Sequence, residues 1–345
     1  MIEPRATLMF AEAAEASAAV ARQYTQNAAA VSALADRLRS MAPYTIFTCA
    51  RGSSDHAATF AKYLFETRLG IPTVSYAPSL SSIYGRSLQH MAGQVFCAIS
   101  QSGKSPDLIM SAEAARAAGA FVIALVNDPS SPLARTADAI IPLHAGKEAS
   151  VAATKSYIAA LAALTHIVAE WSQDEDLVSA HRRLPAILSD AWECDWSRGT
   201  DLFRDARSLF VLGRGLTLGV AQEAALKFKE TCGIHAEAYS SAEVVHGPMA
   251  LIEEGFPLLV FPPFDEAAAS LGQTIAQFVE RGARIAVAGG GFADTVPLAL
   301  PKGLHPVTAP IAMAQAFYRL VNAVAVSRGY DPDSPRGLNK VTQTR

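Results

Sequence analysis

Val95-Phe96-Cys97-Ala98-Ile99 runs into Ser100-Gln101-Ser102-Gly103-Lys104-Ser105, and a helical pattern opens directly afterwards at Pro106. A short apolar run, a tight turn and a helix in that order describe a strand delivering the backbone to the edge of a sheet, where α/β proteins hold phosphate groups. Gly103 can take a conformation closed to other residues, and the unpaired N–H groups of the following helix face the turn with a partial positive charge. The hydroxyls of Ser100, Ser102 and Ser105 can donate to phosphate oxygens without adding a fixed charge, which suits a ligand that must bind and leave. The alternative reading of the hexapeptide is a serine-rich turn with no ligand, and the rest of the chain argues against it.

On either side of this turn, short apolar runs alternate with amphipathic stretches. The pattern predicts strands at Tyr44–Ala50, Thr73–Tyr76, Val95–Ile99, Phe121–Val126 and Ala139–Pro142, with helices at Asp55–Leu69 and Pro106–Ala118. Residues 6 to 40 are Ala-rich with helical spacing, and Trp171 to Trp196 is charged and helical, a connector. A second pass follows, with strands at Ser208–Leu212, Pro257–Phe261 and Arg284–Ala288 and helices at Leu218–Thr231, Glu266–Arg281 and Met313–Ser327. Both passes begin with a strand, a Gly turn and a helix, so they read as divergent copies of one α/β unit with a parallel sheet. They differ in chemistry: where the first has the serine turn, the second has Phe261-Pro262-Pro263-Phe264-Asp265, with no hydroxyl and a carboxylate that would repel phosphate.

Composition narrows the function. With 345 residues, 50% hydrophobic and 18% charged, the chain folds around sizeable cores, and a formal net charge of -3 without any Lys/Arg run offers no footprint for nucleic acid. The N-terminus has no signal-peptide pattern, and the longest apolar run, Ser156 to Ala169, falls short of the roughly 20 residues that span a bilayer. A cytoplasmic protein without membrane or nucleic-acid partners is expected. Cys49, Cys97, Cys194 and Cys232 are isolated, which predicts free thiols and no zinc site.

Several motifs carry chemistry or exclude it. Gly52-Ser53-Ser54 follows the first strand and lies at the same sheet edge as the serine turn, where it serves a ligand, caps the helix, or both. A nucleotide P-loop would need Gly where Ala98 stands, and Gly213-Arg214-Gly215 with Gly219 has the wrong interval for a dinucleotide site. Lys227 and Glu230 share one face of an otherwise apolar helix and can present an ammonium and a carboxylate to one pocket. His246 stands at a turn before Gly247-Pro248 rather than in an apolar stripe, and Asp333-Ser334-Pro335-Arg336-Gly337-Leu338-Asn339-Lys340 forms a polar tail.

The turn at 100–103, the Lys227-to-Glu230 helix, His235-Ala236-Glu237-Ala238-Tyr239, His246-Gly247-Pro248 and the closing tail together resemble the isomerase part of glucosamine-6-phosphate synthase, from about Ala42 to Lys340. That part is built from two tandem sugar isomerase (SIS) domains, each a flavodoxin-like three-layer sandwich. The resemblance implies helices over 1–40, a phosphate-binding domain over 41–172, a connector over 173–200, a catalytic domain over 201–330 and a site-closing tail over 331–345. It gives Ser100, Gln101, Ser102 and Ser105 to the phosphate and Ser53, Ser54 and Val151 to the sugar. Glu230 would move a proton between the first two sugar carbons, Lys227 would assist it, His246 would open the ring from a partner subunit of a homodimer, and Lys340 matches a Schiff-base lysine. Departures from the family pattern at Lys104, Val245, Ala153 and Asn339 lie near the expected sugar site and bear on which amino sugar or adduct is accepted.

The synthase carries a glutaminase domain for which this chain, beginning Met1-Ile2, has no room. The expected activity is therefore that of the stand-alone relatives: glucosamine 6-phosphate and water to fructose 6-phosphate and ammonia, with no metal or redox cofactor. A galactosamine-6-phosphate deaminase and a fructosamine-6-phosphate deglycase would use the same groups. A non-catalytic sugar-phosphate sensor would need a DNA-binding module, for which residues 1 to 40 lack the basic charge.

Overall fold

The structure, a computed structural model, describes residues 2–86, 88–338 and 340. Along the chain the elements are α1 (Leu8–Ala14), α2 (Ala16–Met41), β1 (Ile46–Cys49), α3 (Ser53–Leu69), β2 (Thr73–Ser75), α4 (Ser79–Ser82), β3 (Val95–Ser100), α5 (Pro106–Ala117), β4 (Phe121–Val126), α6 (Pro132–Thr136) and β5 (Ala139–Pro142). Then come α7 (Lys155–Ser172), α8 (Glu175–Glu193), α9 (Ser197–Phe203), β6 (Ser208–Gly213), α10 (Leu218–Cys232), β7 (His235–Ser240), β8 (Pro257–Val260), α11 (Leu271–Glu280), β9 (Arg284–Ala288), β10 (Val296–Leu298) and α12 (Ala309–Ser327).

They form two compact units. One draws on Ala18–Glu148 and Ser156–Arg183, the other on Met1–Ser17, Ala149–Lys155 and Leu184–Lys340. Each holds a parallel five-stranded sheet, ordered β2-β1-β3-β4-β5 in the first and β10-β9-β8-β6-β7 in the second. Read from its own first strand, each sheet has the same path: one strand to one side, then three stepping away on the other. The internal repeat expected from sequence is thus a repeat of topology.

In a sheet covered on both faces, central strands are apolar throughout, and β3 is buried along its whole length. Cys49, Phe96, Ala98, Leu108, Ala112 and Val122 pack one face of the first sheet, while Phe210, Leu212, Leu258, Val260, Ile275 and Phe278 do so in the second. Burial pushes the thiols of Cys49 and Cys97 up to about 12, so both act as core residues and not as nucleophiles.

No helix was expected at α4, α6, α7 or α9, and the other differences from the sequence reading lie at edges and ends. The strands β7 and β10 were not expected; both are edge strands, one carrying Glu237 and Ser240 and the other Pro297, and edges tolerate such residues because one side makes no ladder. The helix expected from Glu266 opens as a 3₁₀ turn over Glu266–Ser270 capped by Asp265, and α-helix begins only at Leu271. Among the described residues one helix, α12, is long and apolar enough to cross a membrane, a stretch longer than the Ser156–Ala169 run, and 89% of its apolar window is buried. Its Gln315 and Asn322 are wholly buried and bonded, Gln315 to the Ala13 carbonyl and Asn322 to Thr7 and the Pro4 carbonyl, as befits a core helix.

Candidate active site

In the first unit, β1 and β3 are neighbours with Cys49 opposite Ala98, and the strand order reverses between them. The turn Gly52-Ser53-Ser54 and the turn Ser100 to Ser105 therefore leave the same sheet edge side by side, at the switch point where parallel α/β sheets take ligands. The cap of α3 is Gly52, at φ 56, so neither Ser53 nor Ser54 is its N-cap residue. Both seryl groups instead occupy the first turn of the helix, where N–H groups have no partner within the helix.

The serine turn is held by hydrogen bonds at four places. Ser100, buried, accepts the N–H of Gly103 at 3.1 Å, Ser102 accepts that of Lys104 at 3.3 Å, and the Gly103 and Gln101 carbonyls accept from Leu133 (3.1 Å) and Asn127 (3.2 Å). Gly103 sits at φ +62, and a Cβ there would come within 2.2 Å of the Ser131 hydroxyl, so backbone and space both demand glycine. Ser105 is the cap residue of α5 but makes no side-chain capping bond, and Ser102, Gln101 and Ser105 stay partly exposed.

In the second unit, Lys227 and Glu230 lie three apart on α10, as expected. Lys227 is 1% exposed, with Nζ 2.5 Å from Glu230 and 3.5 Å from Glu223, itself buried on the preceding turn. The Tyr318 hydroxyl of α12 donates to Glu223 at 3.0 Å. Burial alone would push the ammonium down, but the charges of Glu223 and Glu230 outweigh it and hold Lys227 above its ordinary value. Lys227 is thus a fixed cation, and Glu230, whose side chain is 22% exposed, is the member of the group that reaches solvent.

The remaining candidates of this unit fall into two places. His246 ends a short 3₁₀ turn, is exposed, and makes no side-chain hydrogen bond to Lys227 or Glu230. Lys340 donates to the Ser150 carbonyl at 2.6 Å, beside Val151 and Ala153. The Val151 N–H is taken by the Asp333 carbonyl at 3.2 Å, and Asn339 lies outside the described residues. A small network fixes this corner: the Asp333 carboxylate accepts the N–H groups of Leu8 and Met9 at 2.7 Å each, and Glu12 on the same short helix accepts those of Ala149 and Ser150.

Sequence reasoning missed Glu223 and Tyr318, and also the pair Arg51–Asp107 in the first unit. The i,i+4 spacing of Glu223 and Lys227 was a usable signal for the first; Tyr318 and Asp107 are placed by tertiary contacts that no spacing shows. Among the described residues no group of three or more His, Cys, Asp or Glu side chains is arranged to hold a metal ion.

The chain matches the SIS domain family over residues 41–169 and 202–289, and it belongs to that family. It is 33% identical over 314 residues to a glutamine–fructose-6-phosphate aminotransferase (isomerizing) of Zymomonas mobilis, covering 86% of this chain and 51% of the relative. The chain thus spans about half the length of the curated relatives it matches. A crystal structure from Silicibacter pomeroyi DSS-3, described as a candidate phosphosugar isomerase, superposes with a TM-score of 0.89 at 42% identity over 95% of this chain and 100% of that one. The C-terminal domain of glucosamine-fructose-6-phosphate aminotransferase from Francisella tularensis gives 0.84 at 27% identity, covering 96% and 98%. The family is one of sugar-phosphate isomerases, and its isomerizing domain is what these relatives share with the chain.

Proposed function

We propose that this protein is an amino-sugar-phosphate isomerase and deaminase that converts glucosamine 6-phosphate and water to fructose 6-phosphate and ammonia. The observation that carries the reading is the buried Lys227 held between Glu223 and Glu230, with Glu230 alone of the three reaching solvent. The buried ammonium anchors the Glu230 carboxylate, and the part of that side chain left in solvent is the part a base would offer to substrate. The serine turn takes the phosphate through hydroxyls and the N-terminus of α5, and Ser53 and Ser54 take sugar hydroxyls.

The chemistry then follows from the groups. His246 moves the proton that opens the pyranose, exposing the C1 aldehyde. Glu230 removes the C2 proton; the electron pair forms the C1–C2 enaminol, and return of the proton to C1 leaves an iminium at C2. Water adds to C2, the C–N bond breaks, and ammonia leaves with fructose 6-phosphate. The exposure of His246 at its turn, without a bond to Lys227 or Glu230, supports its action on the site of a partner copy in a homodimer. Lys340 assists at the C2 carbonyl.

Ammonia and fructose 6-phosphate are measured together after incubation with glucosamine 6-phosphate, galactosamine 6-phosphate and a fructosamine 6-phosphate. Stoichiometric release from the first is expected; isomerisation of sugar phosphates with no ammonia from any of the three would refute deamination. Mixing inactive Glu230→Gln and His246→Ala chains restores part of the activity if the site is shared. Exchange of labelled subunits without recovery would show that both groups serve one subunit's site.

A further inference from the structure

Arg51, the middle residue of the three that join β1 to α3, is outside every role assigned so far. Its guanidinium holds the Asp107 carboxylate through Nε and Nη2, both at 2.8 Å, while 47% of its side chain remains exposed. Asp107 is wholly buried in the first turn of α5, where its other oxygen accepts the Leu108 N–H at 2.9 Å. A carboxylate suits a helix N-terminus in isolation but opposes a phosphate arriving there. The guanidinium cancels that opposition, and a planar fork that spends one edge on a carboxylate has further N–H donors for another anion. Arg51 also precedes Gly52-Ser53-Ser54, so the bridge to Asp107 ties one turn of the switch point to the other.

We propose that Arg51 is a further binding residue, the fixed cation of the phosphate subsite, anchored by Asp107 so that its exposed edge meets the phosphate dianion. The proposal rests on reading the serine turn as that subsite.

The test is calorimetric titration of the full chain with inorganic phosphate, fructose 6-phosphate and fructose. Arg51→Met should weaken both phosphate ligands about tenfold or more, the range of a hydrogen bond to a charged group, and leave fructose unchanged. That variant also strands the Asp107 charge, so the double variant Arg51→Met/Asp107→Asn is measured beside it, with thermal denaturation as the check of folding. Phosphate affinity that stays weak in the double variant supports direct contact. Recovery of wild-type affinity would mean that Arg51 only neutralises Asp107, and would overturn the proposal. Should Ser102→Ala/Ser105→Ala lose phosphate affinity while the Arg51 variants keep it, the proposal falls and the subsite reading stands. Retention by all of them sinks both.

Discussion

The two sheets follow one path, yet their switch points are built differently. Between β1 and β3 the turns carry hydroxyls, an anchored guanidinium and a helix N-terminus whose cap side chain is not spent on its own helix. At the equivalent edge between β6 and β8 the polar groups close on each other. The Thr217 hydroxyl donates to the Phe261 carbonyl at 2.8 Å and accepts the Arg214 N–H at 2.9 Å, and Arg214 bonds Ser270 at 2.8 Å. A Cβ on Gly213 would meet the Thr217 carbonyl at 2.5 Å, so this turn is packed against the helix that follows. In the second unit ionisable chemistry has moved off the turn and into the body of α10. Duplicated topology therefore supplies two equivalent edges, and local side-chain chemistry leaves hydroxyls partly exposed at one and closes the polar groups of the other on each other.

The sharpest break of this comparison is at α10. Glu230→Gln keeps the shape and removes the base, and should lower ammonia release by roughly 10²–10⁴ while sugar-phosphate binding is nearly kept. Steady-state assays and titration of fructose 6-phosphate check the two halves; turnover within about tenfold of wild type would remove Glu230 from the role of general base. Next in size, Ser102→Ala with Ser105→Ala should weaken fructose 6-phosphate by about tenfold to a hundredfold and leave fructose alone. Equal weakening of both ligands would erase the distinction between the two edges.

Buried titratable groups are also handled in two ways. Lys227 is paired, whereas in the first unit His166 and His181 stack at 4.8 Å, and neither ring nitrogen of His181 finds a hydrogen-bond partner among the described residues. Burial pushes His166 down to about 4 and His181 to about 3. Below a pH of about 6.5 the unfolded chain takes up protons that the folded chain refuses, so stability is complete above that pH and falls as the pH drops toward these values. Each histidine contributes up to about 1.4 kcal/mol per pH unit in that window. Between pH 6.5 and 5, urea denaturation of His181→Phe should show a loss smaller than that of wild type by about 2 kcal/mol. Parallel losses would mean that the ring stack is not what makes this unit acid-sensitive.

The smallest effect is expected at the closed edge. Asp265 caps its 3₁₀ turn by accepting the Ala267 N–H at 3.0 Å, so Asp265→Ala should cost about 1 kcal/mol of stability and leave sugar-phosphate affinity where it was. A change in affinity there would show that the second switch point also reaches a ligand.

Much of this was open to reading along the chain. The strands Phe121–Val126 and Arg284–Ala288 have the bounds expected of them, because buried parallel strands are continuous apolar runs bounded by polar turns, and the edge strand Ala139–Pro142 has its expected bounds because its run is apolar too. Lys227 and Glu230 could be paired because helical spacing is local information. The serine turn could be found because a strand, a glycine and a helix start must follow one another in sequence. The strands β7 and β10 escaped notice because edges tolerate polar residues and Pro, which blurs the pattern that marks a strand.

What the sequence by itself determined is therefore what depends on neighbours along the chain: the α/β alternation, the repeat, the glycine turns and the residue types gathered at 100–105 and 227–230. Tertiary structure alone decided the rest. It set Glu223 and Tyr318 around Lys227, put Arg51 on Asp107 across 56 positions, and held Lys340 on Ser150 across 190. Such contacts arise only when packed elements bring remote side chains together, and burial then fixes their charges, since a carboxylate or ammonium taken out of water must find its counter-charge wherever the fold supplies one.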